Sequence, residues 1–350
     1  LRKVFEMNKI VFASSGLLLL ALWISSPLLD ERFAPVTAVS PEAAAADAIT
    51  GAVKGVLAKL SKSQVEKASF AYDDKERIDW HFIPRPRKGL PLSEMDKAQK
   101  KLVQGLLLTS LGETGLKTTE DVRSLEGILR TIEGPNRRFS RDPEHYYLSV
   151  FGAPGGKDKW GWRFEGHHLC VNFTLHGKSV LAATPLFFGA NPGEVKSGPR
   201  KGLRVLGSVE DLGRKLMKSL DKSQLKAALG KGKPEEVKAT QAASYNAELP
   251  AGLAAARMNA EQVKTLTSLV LAHTRNMEKG LRKGIENSLA KGNLGKIQVA
   301  WRGSLEGGKG HSYIVHSPDF IISYSNFQNN AAHVHSSLRA SKGEFGLGAE

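Results

Sequence analysis

The sequence of 350 residues contains a single cysteine, Cys170. One thiol excludes an internal disulfide framework and every zinc or iron–sulfur motif that is built from several cysteines. The sequence also lacks a Gly-x-Ser-x-Gly elbow, a GxxxxGK(S/T) loop and a Gly-x-Gly-x-x-Gly fingerprint, so the local signals for serine hydrolases and nucleotide binding are missing. We interpret Cys170 as a small core residue rather than a nucleophile, because it lies inside a predicted strand.

Acidic residues are scarce relative to basic ones. The chain has 50 Lys and Arg against 35 Asp and Glu, which gives a formal net charge of +15. A basic protein attracts acidic partners such as anionic lipids or acidic polysaccharides, although a solvated lysine-rich surface also explains the excess. The sequence has no helix-turn-helix or zinc-finger pattern and no basic stripe with interleaved aromatic residues. Nucleic acid is therefore not an expected partner.

An apolar run, Val11–Ile24, lies near the N-terminus behind a short basic start. It fits the hydrophobic region of a secretory signal peptide and is short for a membrane-spanning helix. The pattern predicts that residues 1–46 are a signal peptide, cleaved near Ala44–Ala46, or an uncleaved anchor plus linker. In either case we expect the body, residues 47–350, to be exported to the periplasm or the extracellular space. A membrane would be reached only through an uncleaved N-terminal segment.

Helical periodicity marks two parts of the chain. Apolar residues recur at helical spacing in five segments, 50–70, 93–111, 118–133, 208–229 and 259–288. Ser61 and Asn259, each followed three residues later by Gln, match the pattern of a helix start. The amphipathic helices need a sheet or one another to cover their apolar faces.

Alternating aromatic and β-branched residues fill the segments between and after these helices. The predicted strands are 146–151, 160–175, 179–188, 297–303, 311–316 and 320–327. We predict an α+β fold with an antiparallel sheet flanked by amphipathic helices, formed by a single large domain over residues 47–350. In this fold the first and last blocks of strands pair across the intervening helices.

Two pairs of histidines stand out among the ten in the chain. His333 and His335 are two residues apart, so in an extended segment both side chains point to the same side and can share one metal ion. His167 and His168 are adjacent and face opposite sides of a strand, so only one of them can join the site unless a bulge turns the chain. His168 is the preferred third ligand, and His167 is the second choice.

Three imidazoles that leave one position open suit a catalytic Zn, Cu or Fe ion. A carboxylate ligand such as Glu165 would shift the preference to iron or manganese. The simpler explanation is that ten histidines in 350 residues form some pairs by chance, as ordinary core residues. Both interpretations stay open on the sequence alone.

Several polar residues are candidates for catalysis or substrate contacts. Glu165 can act as a general base, and Arg163, on the same predicted strand face, can hold a substrate or pair with Glu165. Side-chain amides can bind a polar ligand or orient imidazole N–H groups. The amides in question are Gln328, Asn329, Asn330 and Asn191. A polar loop or a plain structural turn explains these amides equally well.

The histidines fall within longer motifs. These are Trp160-Gly-Trp-Arg-Phe-Glu-Gly-His-His-Leu169, Thr184-Pro-Leu-Phe-Phe-Gly-Ala-Asn-Pro192, Gly202-Leu-Arg-Val-Leu206 and Gln328-Asn-Asn-Ala-Ala-His-Val-His335. Together they resemble the family known as domain of unknown function 3500, with a likeness that extends over about Ser61 to Gly346. The resemblance implies that the Gly-His-His and His-x-His elements belong to one recurring constellation, and it implies no particular reaction. The family pattern has Ser where this chain has Cys170, which further weakens a mechanism based on the thiol.

Two functions therefore compete. The first is an exported metal-dependent hydrolase or oxidoreductase that acts on a small molecule, with His168 or His167 joining His333 and His335 as ligands. The second is a non-enzymatic envelope protein that binds an acidic glycan or a protein partner. Bound metal separates the two, because binding of a glycan or protein needs no ion.

Overall fold

The computed structural model describes residues 40–237, 245, 247–290 and 294–348. The part of the predicted leader up to residue 39 lies outside these ranges. Across the described residues, no helix combines the length and the apolar character that a membrane crossing requires. Export of the body stays a prediction.

The first described helix, α1 (Pro41–Leu57), begins inside the segment that the sequence assigns to the leader. Ser40 caps this helix, since its side chain accepts a hydrogen bond from the backbone N–H of Ala43. Ala46 is fully buried in the main hydrophobic core. The predicted boundary between residues 46 and 47 therefore falls within a helix that packs into the fold.

Two of the remaining helices, α2 and α6, begin where the capping patterns place them. The side chains of Ser61 and Asn259 each accept a hydrogen bond from the backbone N–H of the Gln three residues later, as predicted. The longest helix, α3, is broken at Gly112, where a φ of +68° favours glycine. The helices are α2 (Lys62–Ala68), α3 (Lys97–Glu133), α4 (Gly207–Lys218), α5 (Lys222–Ala228), α6 (Ala260–Thr274) and α7 (Lys279–Ala290).

Twelve strands of the described residues form one sheet, which is antiparallel except where β1 pairs with β3. They are β1 (Ser69–Phe70), β2 (Leu90–Pro91), β3 (Tyr146–Phe151), β4 (Trp160–Gly166), β5 (Leu169–His176), β6 (Ser179–Ala182), β7 (Leu186–Ala190), β8 (Leu253–Ala254), β9 (Gln298–Gly303), β10 (His311–His316), β11 (Phe320–Phe327) and β12 (His333–Ala340). The order is β1-β3-β4-β5-β7-β12-β11-β10-β9-β8, with β2 beside β3 and β6 beside β5. The α+β class, the antiparallel sheet and the pairing of the first and last strand blocks through β7 and β12 are confirmed.

Two differences concern the strands that carry histidines. The predicted strand 160–175 is instead a hairpin, in which a turn at His167 and His168 joins β4 to β5. The segment that begins at His333, predicted to follow the last strand, is itself the strand β12. Its sequence contains one β-branched residue, Val334, so local propensity is weak, and hydrogen bonds to β7 and β11 on its two sides stabilise it.

The two faces of the sheet have separate hydrophobic cores. On β5, Leu169 and Val171 belong to the main core together with the helices, whereas Cys170 belongs to a smaller core. That smaller core contains Trp80, Phe82, Cys170, Phe187, Val237 and Phe345. Burial, with a further contribution from Glu165, raises the pKa of the Cys170 thiol. The prediction that Cys170 is a core residue is confirmed.

His273 is a buried polar residue of α6 whose side chain contacts the sheet. Its Nε2 lies 2.9 Å from the Tyr313 hydroxyl oxygen, and its Nδ1 lies 3.1 Å from Ser336 Oγ. Burial, helped by the charge of Arg275, lowers the pKa of His273 from 6.5 to about 3. The folded protein therefore keeps this imidazole neutral at pH values where an unfolded chain protonates it.

We expect the free energy of unfolding to fall as the pH decreases from about 6.5 towards 3, because the unfolded chain binds a proton at His273 that the folded protein excludes. Between about pH 7 and pH 4.5, His273 alone should account for a loss of roughly 2 kcal/mol. Urea denaturation at both pH values measures this loss. His273→Gln has no titrating group at this position, so the variant should lose roughly 2 kcal/mol less than the wild type. Equal losses of unfolding free energy in the wild type and the variant would contradict the assignment of this pH dependence to His273.

Candidate metal centre

Three histidine side chains converge at one point of the structure. His168 Nε2 lies 2.8 Å from His333 Nε2 and 3.1 Å from His335 Nε2. In the part of the chain that the structure describes, the potential ligand atoms of these three residues all lie within 4.8 Å of one another. Bonds of about 2.0–2.1 Å from tetrahedrally arranged nitrogens to one metal ion place neighbouring nitrogens about 3.3 Å apart. The Nε2 separations of 2.8 and 3.1 Å lie close to this spacing, and we call the three residues the histidine cluster.

Strand β12 supplies two of the three imidazoles. His333 and His335 lie two residues apart in an extended segment, so both side chains point to one side of the strand. This is the geometry that the His-x-His pattern predicted. In the sheet register His335 pairs with Ser325 of β11 on one side and with Gly189 of β7 on the other. These pairings fix the position of His335 along the strand direction.

The third imidazole, His168, comes from the turn between β4 and β5. Its φ of +62° is unusual for a residue with a side chain, and its backbone N–H donates to the carbonyl oxygen of Phe82. Its own carbonyl accepts a hydrogen bond of 2.7 Å from Gly189 N. A Cβ on Gly189 would lie 2.8 Å from the His168 ring, so only glycine leaves room for this imidazole. The prediction of His168 as third ligand agrees with the cluster, although a turn rather than a strand face positions it.

A carboxylate holds His335 from the side away from the cluster. Glu236 Oε1 accepts a hydrogen bond of 2.7 Å from His335 Nδ1, so the Nε2 lone pair of His335 is free to point into the cluster. Ser325 and Gln328 donate further hydrogen bonds to the two carboxylate oxygens. Burial alone would raise the pKa of Glu236, but the hydrogen bonds, first from His335, lower it to about 2. Glu236 is therefore an anionic partner that orients one imidazole.

The protonation of the cluster favours metal binding. Burial, together with the neighbouring imidazoles His167, His335 and His333, lowers the pKa of His168 well below 6.5. Burial and the neighbouring His335 lower the pKa of His333 to about 3. Neutral imidazoles are the form that ligates metals, so at neutral pH these two side chains need not release a proton to bind an ion.

His167, the alternative ligand in the sequence analysis, is outside the histidine cluster. Its Nδ1 lies 2.5 Å from Glu126 Oε1 and 3.3 Å from Arg141 Nη1. Its ring stacks on the His168 ring, with 3.9 Å between the centroids. The structure therefore brings three of the four predicted ligands together and places His167 next to them, in contact with a different carboxylate.

Arg163 and Glu165 lie in a buried network of charges on β4. Their side chains are 3.0 Å apart, which confirms the predicted ion pair, and both are almost fully buried. Arg163 also donates to Glu76, and Glu165 accepts from the backbone N–H of His81. Glu165 is not among the clustered ligands of the described residues. Its catalytic role and that of Arg163 stay predictions. The contacts of the two residues are those of side chains that fix the segment around His81 against the sheet.

The predicted amide residues have different surroundings. Gln328 donates a hydrogen bond of 2.5 Å to Glu236 Oε2 and so supports the partner of His335. Asn329 and Asn330 are exposed and adopt left-handed conformations, with φ values of +48° and +57°, which places them in the turn before β12. Asn191 precedes a cis peptide bond to Pro192. Of the four, Gln328 is tied to the cluster, through its hydrogen bond to Glu236.

Two carboxylates of the site were missed by the sequence analysis. Glu236 lies in a segment without regular structure between α5 and β8, and nothing local marks it as a partner for a distant histidine. Glu126 lies inside α3, where it is 4% exposed. A buried acidic residue among the apolar positions of a helix was the available signal, because carboxylates are rarely buried without a partner.

The fold and the site together define an α+β protein with a buried three-histidine cluster that could hold a metal ion. A family model described as "Protein of unknown function (DUF3500)" matches residues 42–347. The match covers most of the chain, so the chain belongs to this family, as its motifs indicated. Comparisons with curated proteins and with solved structures gave no match.

Proposed function

We propose that this chain is an exported metalloenzyme, a hydrolase or an oxidoreductase, whose histidine cluster binds one divalent transition metal ion, Zn, Cu or Fe. The observation that carries the proposal is the convergence of three imidazole nitrogens at a spacing close to that of metal ligands. In this proposal one α+β domain carries the centre, and its amphipathic helices cover one face of the sheet. The apolar run near the N-terminus supports export.

The donor set supports a catalytic rather than a purely structural ion. Structural zinc sites are commonly closed by four protein ligands, whereas three histidines leave a position for water or substrate. A bound Zn²⁺ would lower the pKa of a coordinated water, while Cu or Fe would supply redox chemistry. The chain itself would hold the ion through His168, His333 and His335 and would orient His335 through Glu236.

Elemental analysis tests this proposal directly. The protein should be purified without a histidine tag or a chelating resin, then stripped and reloaded separately with Zn, Cu, Fe and Mn. We expect about one ion per chain for a metal that prefers imidazole, and much less Mn, which prefers oxygen ligands. Absence of bound metal after every reloading would refute the proposal.

Glu236→Ala should weaken metal binding by about 10–100-fold, because it removes the acceptor that fixes the His335 tautomer and ring. Competition with a fluorescent chelator measures the dissociation constant. Glu235→Ala is the matched control, since the neighbouring Glu235 pairs with Arg302 rather than with a histidine. If both variants bind metal as tightly as the wild type, Glu236 has no role in the centre.

One surface feature supports a second function, the binding of an acidic glycan. A groove of about 360 Å³ on α3 is lined by Lys97, Lys100, Lys101 and Arg123. Lys100 pairs with Glu144 and Arg123 with Glu120, so Lys97 and Lys101 are the cations on which this function depends. Clustered cations attract anionic polymers at low salt. Retention on an immobilised acidic polysaccharide, compared between the wild type and a Lys97→Gln/Lys101→Gln variant, tests this function independently of metal content. Equal retention would rule out this groove as the binding surface.

A further inference from the structure

A cavity of about 370 Å³ borders the histidine cluster at His167. Its walls come from residues 84–87, from residues 138–147, from Glu126 of α3 and from His167 itself. The volume lies within the range of roughly 300–1,000 Å³ that is typical of small-molecule sites. The lining residues come from the segment before β2, from α3, from the loop and strand that follow α3, and from the turn after β4.

The inner wall of this cavity contacts a proposed metal ligand. The His167 ring, which lines the cavity, stacks on the His168 ring of the cluster at a centroid distance of 3.9 Å. Glu126 holds His167 through a contact of 2.5 Å to its Nδ1, and Arg141 Nη1 lies 3.3 Å from the same nitrogen. The His167 ring therefore separates a molecule bound in the cavity from His168 of the candidate metal centre.

Two arginines of the cavity, Arg138 and Arg85, have N–H groups that can bind an anion. Within the described residues, Arg138 is an exposed guanidinium with no carboxylate within ion-pair distance, and it lies 5.1 Å from the centroid of the Phe139 ring. Arg85 is held by Asp79 through Nη2, but its Nε is buried without a hydrogen-bond partner. A buried N–H without a partner favours a ligand that supplies an acceptor.

The carboxylates of the cavity are already engaged. Glu126 contacts His167, and Asp142 accepts a hydrogen bond from the backbone N–H of Glu144 and lies near His145. Two aromatic side chains, Phe139 and Tyr147, also line the cavity, and both are half-buried. Aromatic walls with a few polar groups are typical of sites that bind a ring.

We propose that this cavity is a binding site for a ring-bearing carboxylate, with the carboxylate group paired with Arg138 and Arg85 and the ring against Phe139 and Tyr147. Its role as the substrate pocket of the metal centre rests on the function proposed above. A small aromatic acid and a uronic acid unit of an acidic polysaccharide share this chemistry. The cavity is a different surface from the lysine-lined groove beside α3.

Isothermal titration of the metal-free protein with benzoate and with galacturonate tests the site. We expect at least one of the two carboxylates to bind saturably, and its neutral counterpart, benzamide or galactose, to bind clearly more weakly. Tighter binding of benzoate would point to a small aromatic acid as the ligand, and tighter binding of galacturonate would point to an acidic polysaccharide. Arg138→Gln should weaken binding by about fivefold, as expected when a partly exposed ion pair is lost. Arg137→Gln, which removes an exposed charge one residue outside the cavity, should leave the affinity unchanged.

Three results would overturn the binding site: no saturable binding of either carboxylate, equal affinity for the neutral counterpart, or equal losses in Arg138→Gln and Arg137→Gln. A second titration uses the Co²⁺-loaded protein and follows its visible absorption. A change in absorption when the carboxylate binds would show that the ligand lies close enough to affect the metal ion. Binding of the carboxylate with no change in absorption would show that the cavity is not the substrate pocket of the metal centre. Carboxylate binding by a protein that takes up no metal would refute the metalloenzyme and leave the binding site standing.

Discussion

His335→Ala should abolish tight metal binding. The substitution removes one of three convergent imidazoles and leaves the carboxylate of Glu236 without its hydrogen-bond donor at Nδ1. Loss of an outer partner alone typically costs about 10–100-fold in metal affinity, so loss of a ligand should cost more than about 100-fold. His333→Ala should have the same effect, because His333 Nε2 lies 2.8 Å from His168 Nε2 in the same cluster.

Thermal unfolding with and without metal provides the measurement. At a free metal concentration of about 1,000 times its dissociation constant, the wild type should gain roughly 4 kcal/mol of stability, and the two variants should gain little. His176→Ala is the matched control, since His176 lies at the end of β5 and contacts the carbonyl oxygen of Lys157 rather than another histidine. Equal metal-induced stabilisation of the wild type and the cluster variants would show that the ion binds elsewhere.

Arg163→Met should destabilise the folded protein by about 3–5 kcal/mol, because it removes the nearest cation from two buried carboxylates and leaves them with Arg87 and Lys88 at 3.7 Å. The Arg163 side chain is fully buried and contacts both Glu76 and Glu165, whose side chains are 7% and 1% exposed. Methionine replaces much of the volume, so the expected loss comes from the charge and its hydrogen bonds. Urea denaturation of metal-free protein measures the change in the free energy of unfolding.

Arg130→Met is the control for this prediction, because Arg130 is exposed on α3 and its substitution should change stability by less than about 0.5 kcal/mol. The result also separates two roles for Arg163. A residue that mainly stabilises the fold lowers stability when it is replaced, whereas a residue that acts only on a substrate lowers activity in a protein of normal stability. An Arg163→Met protein as stable as the wild type would contradict the structural role.

The pairing of His333 with His335 could be predicted because it depends on a local rule. Alternate residues of an extended segment share a side, and this holds whether or not neighbouring strands are known. The capping patterns at Ser61 and Asn259 succeeded for the same reason, since each uses atoms within three residues of the helix start. Predictions of this kind need no tertiary information.

The remainder of the site depends on tertiary contacts that no local pattern contains. His168 reaches the cluster because the chain turns at this residue and because Gly189 of a distant strand leaves room for its ring. Glu236 meets His335 across 99 residues of sequence, from a segment with no regular structure. Strand β12 itself has weak local propensity and is held by partners on both sides.

X-ray absorption at the metal edge of the Zn²⁺-loaded protein tests the central claim most directly. The account predicts three imidazole nitrogens at about 2.0–2.1 Å from the ion, with one further light ligand in the open position. In a His333→Ala/His335→Ala double variant, the imidazole signal should disappear together with the bound ion. A sulfur neighbour at about 2.3 Å, or a shell of oxygens without imidazole, would contradict the three-histidine centre.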